Sequence, residues 1–508
     1  MKVFTSLQIK NIEDATVLRG ISKLRLMENA GSAAARVIRE KFDITSKKIV
    51  VVSGCGNNGG DGFVVARKLY ENGGNVEVIR LLGLPQTENA SAMCKKLMET
   101  GVPIHDYFDN PSISKALLKG ADIIVDAVFG IGMNRAPDAS ICEVFSFISS
   151  LPALRIAVDV PSGVYADSAK VHSCAIKADL TVSFIGFKFC HILPPASSFC
   201  GEVVNCAIGV ADDVLDYIEG CPETVEPVKL PERDKNAHKG TFGKALLVTG
   251  SYGMAGAAIL SLKAALRSGV GLGICALPEK IYPIVASSVP EAVYIPSPAN
   301  VKGGFAANTY FAIKDAIESA DSILFGCGVG NTNDTVTLLR DILENAKCPV
   351  IIDADGINAL SRNIDIIKQS AVKIILTPHP AEMARLCKVG TEEINSNRIY
   401  FAKKLAHELG VTVVLKGANT IIATEGEKVF VNLTGNPGMA TGGSGDVLGG
   451  MMVGLIASGV LPENDAVCAA VYLHGLAGDK AAQKLGKTSL LPSDIIDNLP
   501  QLFKNLEG

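Results

Sequence analysis

Short runs of Val, Ile, Leu and Ala alternate along the chain with longer stretches in which apolar residues recur every three or four positions. In the first half the runs fall at 49–53, 76–81, 123–126, 155–160 and 180–184, with helices predicted between them, for example over 62–71 and 88–100. In the second half 245–249, 273–277, 323–326, 350–353, 373–376 and 411–415 read as strands, alternating with helices such as 256–268 and 395–409. Strands that are apolar on both faces and separated by helices predict parallel sheets covered on both sides, the three-layer αβα sandwich of α/β proteins. Ligands of such sheets sit beyond the C-terminal strand ends, so the loops after these strands are where chemistry is sought. Between the halves, 211–240 carries charges and three prolines and reads as a connector. The expected division is a first domain over 1–215, a linker over 216–235 and a second domain over 236–508.

Composition narrows the function classes. A length of 508 residues allows two to four domains. With 48 basic and 52 acidic residues the chain has no basic footprint, so neither nucleic acid nor an anionic membrane surface is an expected partner. The long uncharged runs at 245–262 and 447–462 are broken by Gly, Ser or Thr and read as buried segments, not membrane spans. Thirteen cysteines without a CxxC pair read as reduced, mostly buried thiols. The polar, acidic start is unlike a signal peptide, and a cytoplasmic location is expected.

Chemistry concentrates at a few strand ends. The strand at 49–53 runs into Gly54-Cys-Gly-Asn-Asn-Gly-Gly-Asp61, whose backbone N–H groups and following helix start suit an anion such as a pyrophosphate. A tight turn with Asp61 as an N-terminal helix charge accounts for the same residues. Two neighbouring strands end in an acid, Asp126 and Asp159, each followed by a loop. With Asn58 and Ser162 they offer oxygen donors suited to a hard cation rather than zinc. Alternatively each acid caps the next turn.

The motifs MENAG (27–31), GCGNNGGDGFVVAR (54–67), DAVFGIG (126–132) and DVPSG (159–163) closely resemble the NAD(P)H-hydrate epimerase family over about the first 210 residues. The resemblance implies a Rossmann-like fold, with substrate held by Asn57, Asn58, Gly59, Gly60 and Asp61. It also implies substrate contacts from Gly130, Ile131, Gly132, Met133, Asn134, Arg135 and Ala136. Asp159 would be the catalytic, substrate-contacting acid, and Asn58, Asp126 and Ser162 would bind potassium. Ile131 stands where the family usually has Thr, and Phe189 where it usually has Pro.

In the second half, Gly435-Asn-Pro-Gly-Met-Ala-Thr-Gly-Gly-Ser-Gly-Asp446 precedes an apolar helical run. Such a turn collects amide donors for a phosphoryl group, and Asp446 beside it could take a proton from an attacking hydroxyl. The plain alternative is a glycine-rich turn with a capping Asp. GGSGD resembles the signature of ribokinase-like enzymes. HKGTFGKALLVTGS (238–251), GCGVG (326–330), DADGINAL (353–360), LTPHPAEMARL (376–386) and VLKGANTII (414–422) resemble the NAD(P)H-hydrate dehydratases over nearly all of 230–500.

That second resemblance implies a ribokinase-like αβα sandwich. Substrate would meet Gly328, Gly330, the stretch His379, Pro380, Ala381, Glu382, Met383, Ala384 and Arg385, and the catalytic Asp446. Nucleotide would meet Lys416, Gly417, Ala418, Asn419 and Thr420. It would also meet Asn436, Pro437, Gly438, Met439, Ala440, Thr441, Gly442, Gly443, Ser444 and Gly445. Epimerase followed by dehydratase resembles the bifunctional prokaryotic repair enzymes, in which the dehydratase uses ADP. Expected small-molecule partners are hydrated NADH or NADPH and ADP with Mg²⁺, and a homo-oligomer is expected. A competing reading makes the second half a vitamin-pathway kinase and the first a non-catalytic binding module. The retained Asp126, Asp159 and NNGGD segment argue against the latter.

Overall fold

The structure, a computed structural model, describes residues 1–506. Its contacts divide the chain into two units, Met1–Cys221 and Pro222–Gly508. The first is built on seven parallel strands: β1 Lys48–Ser53, β2 Asn75–Arg80, β3 Ile104–Asp106, β4 Ile123–Ala127, β5 Leu154–Val158, β6 Leu180–Phe184 and β7 Glu202–Cys206, in the order β3-β2-β1-β4-β5-β6-β7. Alternate β1 residues face opposite cores. Ile49 and Val51 pack with the helices Lys23–Lys41 and Asn57–Glu71, while Val50 and Val52 pack with the helix Ala139–Ser150. The strand order reverses between β1 and β4, the point at which a doubly wound sheet opens a crevice for ligands.

The second unit has ten strands: β8 Glu223–Thr224, β9 Lys244–Val248, β10 Leu272–Pro278, β11 Val293–Ser297, β12 Ser322–Phe325, β13 Val350–Ile352, β14 Ile374–Leu376, β15 Thr412–Leu415, β16 Ile421–Ala423 and β17 Val429–Val431. Their order is β8-β17-β16-β15-β14-β13-β12-β9-β10-β11, parallel except where β16 runs against β15 and β17. The helix Ser444–Ser458 is buried from Val447 to Ser458. It lies between β12 and the helix Ala255–Arg267, with glycines at the closest approaches; a Cβ at Gly450 would come 2.1 Å from the Ser261 carbonyl oxygen. Both long uncharged runs are thus core segments. Among the described residues no helix is long and apolar enough to cross a membrane.

Three differences from the sequence reading have physical causes. The strands at 104–106, 202–206, 293–297, 421–423 and 429–431 went unread, being short or carrying polar residues. Part of the stretch expected to be a linker is built into the second unit: β8 pairs with β17, and the Leu230 amide donates to the Leu506 carbonyl at 3.1 Å. The expectation of thiols throughout fails at Cys142 and Cys174, which are joined by a disulfide. The helix Ala139–Ser150 and the loop at 172–176 bring their Cα atoms to 5.2 Å.

Because Gly450 has no room for a side chain, Gly450→Ala should lower the unfolding stability of the second unit by about 1–3 kcal/mol. Gly256→Ala, in the helix Ala255–Arg267 where an added Cβ meets nothing, should leave stability unchanged or raise it. Urea unfolding midpoints of the two variants check this.

Candidate active sites

In the first unit the NNGGD segment is the opening turn of a helix, not a loop: Asn57–Glu71 begins five residues before its expected start. Gly54 and Gly59 allow this, since a Cβ at Gly54 would lie 2.1 Å from the Val128 carbonyl oxygen and one at Gly59 2.0 Å from that of Gly54. The Gly54 amide is spent on Ala127 O (3.0 Å) and that of Gly60 on Gly56 O (3.1 Å). The anion donors are therefore the first-turn amides of Asn57, Asn58 and Gly59, which have no intrahelical acceptor. MENAG packs beneath this turn: Met27 lies against Gly60 and Gly31 against Val64. Glu28 takes both bonds from one Arg67 nitrogen, at 2.6 and 2.7 Å.

Asp126 ends β4, and Ser162 closes on it. One carboxylate oxygen accepts from the Ser162 hydroxyl at 2.6 Å, the other from the Ser162 amide at 2.7 Å. Burial pushes this carboxyl up to about 6, and among the described residues no cation pairs with it. Asn58 lies against Gly130, with its buried Nδ2 unpartnered. A buried acid lacking positive charge, with the Ser162 hydroxyl on it, fits a hard cation, whereas the orphaned Asn58 Nδ2 is a donor that calls for an acceptor. The 130–136 segment is mostly exposed, anchored by Ser6 Oγ donating to Ile131 O at 3.1 Å.

Asp159 follows β5 with φ 65°, a strained conformation for a residue with a side chain. Two residues absent from the sequence reading hold it. Lys188, 1% exposed, pairs with its carboxylate and also donates to Ser183 Oγ (3.1 Å) and Phe184 O (2.8 Å). His191 Nε2 donates to the Asp159 carbonyl at 2.9 Å, while its Nδ1 accepts from the Lys188 amide at 3.1 Å. Burial, reinforced by Lys188, pushes the imidazole down to about 3, so it remains neutral. The carboxyl of Asp61, the fifth residue of the helix Asn57–Glu71, is raised well above the usual range by burial and by the charges of Asp159 and Glu13.

In the second unit three strand ends and a helix start converge. Asp353, after β13, is 2% exposed and accepts from the Ala354 amide at 2.8 Å. It pairs with Lys416, the residue after β15. A Cβ at Gly445 would lie 3.5 Å from Lys416 Nζ and 3.7 Å from Asp353 Oδ2, so this pair abuts the first turn of Ser444–Ser458, which carries Asp446. Burial, then Asp353, pushes Asp446 up to about 6. Cys327, from the loop after β12, lies beside both acids. In that loop Gly330 N donates to Asp355 at 2.9 Å, while Gly328 is backed by Met254 and Ala257.

The expected phosphate donors shift slightly. The Ser444 amide is bonded to Thr441 O at 3.3 Å, leaving the first-turn amides of Gly445 and Asp446 without an intrahelical acceptor. Asn436 braces the turn, donating to Asp479 (2.9 Å) and accepting from Gly438 (3.0 Å). Arg398, unread in the sequence, is buried and donates to the carbonyls of Leu415, Lys416 and Ala418 at 2.7–3.2 Å, shaping the 416–420 loop. His379 and Glu382 form a capping box on the helix Pro380–Cys387, so part of the expected substrate stretch is also helix-start chemistry.

A Rossmann-ordered unit followed by an αβα unit with a glycine-capped helix and a buried Lys–Asp pair defines a two-site α/β enzyme class. Residues 245–501 match the family described as NAD(P)H-hydrate dehydratase, and 23–190 that described as YjeF-related protein N-terminus. The bifunctional NAD(P)H-hydrate repair enzyme of Thermofilum pendens is 36% identical over 100% of this chain and 97% of its own. That of Moorella thermoacetica is 34% identical over 96% and 93%. A ribokinase-like superfamily protein from Enterococcus faecalis V583 matches with 28% identity and TM-score 0.50 over 57% of this chain and 98% of its own. The chain belongs to the family of bifunctional NAD(P)H-hydrate repair enzymes. The kinase-with-accessory-module reading is not favoured, since both halves align with relatives of that single name.

Asp446 also bears on stability. Its folded-state midpoint of about 6 lies above the ordinary 3.8, so between those values the folded chain holds a proton that the unfolded chain has released. Its contribution therefore falls as pH rises through about 4 to 6. Asp446→Asn should flatten this part of the stability–pH curve, measured by thermal unfolding across that window.

Proposed function

We propose that the chain restores hydrated NAD(P)H in two steps. The first unit interconverts the R and S epimers at the hydroxyl-bearing ring carbon, and the second dehydrates the S epimer at the expense of ADP. The observation that carries the reading is the placement of Asp446 in a glycine-rich first turn beside the Lys416–Asp353 pair, in a chain aligned end to end with repair enzymes.

Hydroxide is a poor leaving group. Transfer of the terminal phosphoryl of ADP to the substrate hydroxyl makes a good one, and its departure with loss of the neighbouring ring proton gives NAD(P)H, AMP and phosphate. Asp446 removes the hydroxyl proton as the oxygen attacks, a role worth roughly 10²–10⁴-fold. The amides of Gly445 and Asp446 hold the phosphoryl oxygens, each such donor being worth about 3 kcal/mol. Residues 416–420 and 436–445 hold the nucleotide, which enters as its magnesium complex. Substrate lies toward Gly328, Gly330 and 379–385. In the first unit Asn57–Asp61 and 130–136 hold the substrate, and Asp159 moves protons. Potassium held by Asn58, Asp126 and Ser162 would supply the positive charge that the buried Asp126 lacks.

Hydrated NADH incubated with the protein should regain NADH absorbance with ADP and not without it. Asp446→Asn should lower that rate by about 10²–10⁴-fold while calorimetric ADP binding persists. With Asp446 at about 6, wild-type kcat/KM should rise with pH through that value as the base ionises. Full-rate dehydration without nucleotide would overturn the mechanism.

A further inference from the structure

Cys142, His172 and Cys174 bring three metal-ligating side chains together in the first unit, apart from every residue placed at the substrate or potassium site. Cys142 is the fourth residue of the helix Ala139–Ser150, and the loop at 172–176 carries the other two to it. Their sulfur and nitrogen atoms all lie within 4.8 Å of one another. His172 Nδ1 stands 3.1 Å from Cys174 Sγ and 3.8 Å from Cys142 Sγ. Ligands held about 2.0–2.3 Å from one tetrahedral zinc ion are roughly 3.5–3.8 Å apart, so the two nitrogen–sulfur distances bracket ligand spacing. The disulfide does not account for where that nitrogen points. A disulfide sulfur has no proton to give and accepts only weakly, and the Cys174 amide reaches Nδ1 at the long distance of 3.4 Å. Cys142 and His172 are half-buried, which leaves one side open for an ion to enter and for a water to complete its coordination.

We propose that Cys142 and Cys174, when reduced, hold a zinc ion together with His172 Nδ1, and that the disulfide is the oxidised, metal-free form of this site. Two thiolates and an imidazole select a borderline-soft ion of this kind over the hard cations that suit oxygen donors. A low-molecular-weight disulfide, RSSR, converts one form to the other: the two thiolates become the Cys142–Cys174 bond, two RS⁻ leave and the zinc ion is freed. Ion and cross-link make the same tie, helix to loop. The loop is bonded in turn to the segment after Asp159, the His172 amide donating to Gly163 O at 2.8 Å and the Ile176 amide to Ser162 O at 2.9 Å. Ser162 is the residue that closes on Asp126. The tie thus stands one hydrogen-bonded step from the Asp126–Ser162 contact, and the proposal does not depend on the epimerase reading.

Cobalt(II) is the probe, a zinc substitute whose thiolate charge-transfer band and intense tetrahedral d–d bands report its ligands. The full chain, reduced and then freed of reductant without air, should take up one equivalent with both signatures, and zinc should displace it. Cys142→Ser, Cys174→Ser and His172→Asn should each weaken cobalt binding by about 10²–10³-fold. Cys387→Ser, at a half-buried thiol outside the cluster, should leave it unchanged. Wild type oxidised with glutathione disulfide should lose that equivalent, and mass spectrometry of its alkylated peptides should find Cys142 joined to Cys174. This comparison needs no variant, so it holds even where a substitution disturbs folding. Reduced wild type that binds no more cobalt than oxidised wild type overturns the proposal, as does binding that His172→Asn leaves undiminished.

Discussion

Each unit buries a lysine against an aspartate at the C-terminal end of a parallel strand, Lys188 on Asp159 and Lys416 on Asp353, and both sites are arranged around that pair. Removing one partner of a buried pair strands the other charge, at a typical cost of 3–5 kcal/mol, so neither lysine is free to serve as a loose surface cation. Each unit also carries a second aspartate near the start of a glycine-rich helix, Asp61 at the fifth position of Asn57–Glu71 and Asp446 in the first turn of Ser444–Ser458. Burial raises both of these carboxyls, and the lysine opposes the rise in each case. One local solution thus recurs on two different sheets. An ion pair holds the fixed charge, and an acid with a raised carboxyl lies in the helix whose first-turn amides are free.

The two solutions differ in what they leave for the ligand. In the first unit the pair is nearly sealed, with Lys188 donating to Asp159, Ser183 and Phe184. In the second, Lys416 keeps 18% exposure beside Gly445, open to a phosphate. Proton transfer without charge import suits the former. Binding of a polyanion suits the latter.

Much of this was legible in the sequence because it rests on local patterns. Apolar runs between helices predicted both parallel sheets, acids or glycines after those runs marked the strand ends where Asp126, Asp159 and Lys416 lie, and a glycine run marked the helix start that carries Asp446. The rest depends on contacts distant along the chain. Lys188 sits in the apolar string FIGFKFC, and nothing local marks it as the partner of a residue 29 positions earlier. Arg398 reads as an ordinary helix-start arginine until the fold brings three carbonyls to it. His379 carries a capping role that HxxE spacing could have announced, with Pro380 at the first helical position and Glu382 at the third. The early start of the helix at Asn57 was hidden by its glycines, which lower helix propensity yet are needed there for close packing.

The central claim is that burial raises the helix-start acid in each site and that the lysine of the ion pair holds the rise in check. Carboxyl ¹³C NMR titration of the Asp-labelled chain tests it most directly at Asp446. The account predicts a midpoint near 6 in the wild type and a higher one in Lys416→Met, since Lys416 favours the ionised acid. A midpoint in the ordinary aspartate range, or one that Lys416→Met leaves in place, would contradict it.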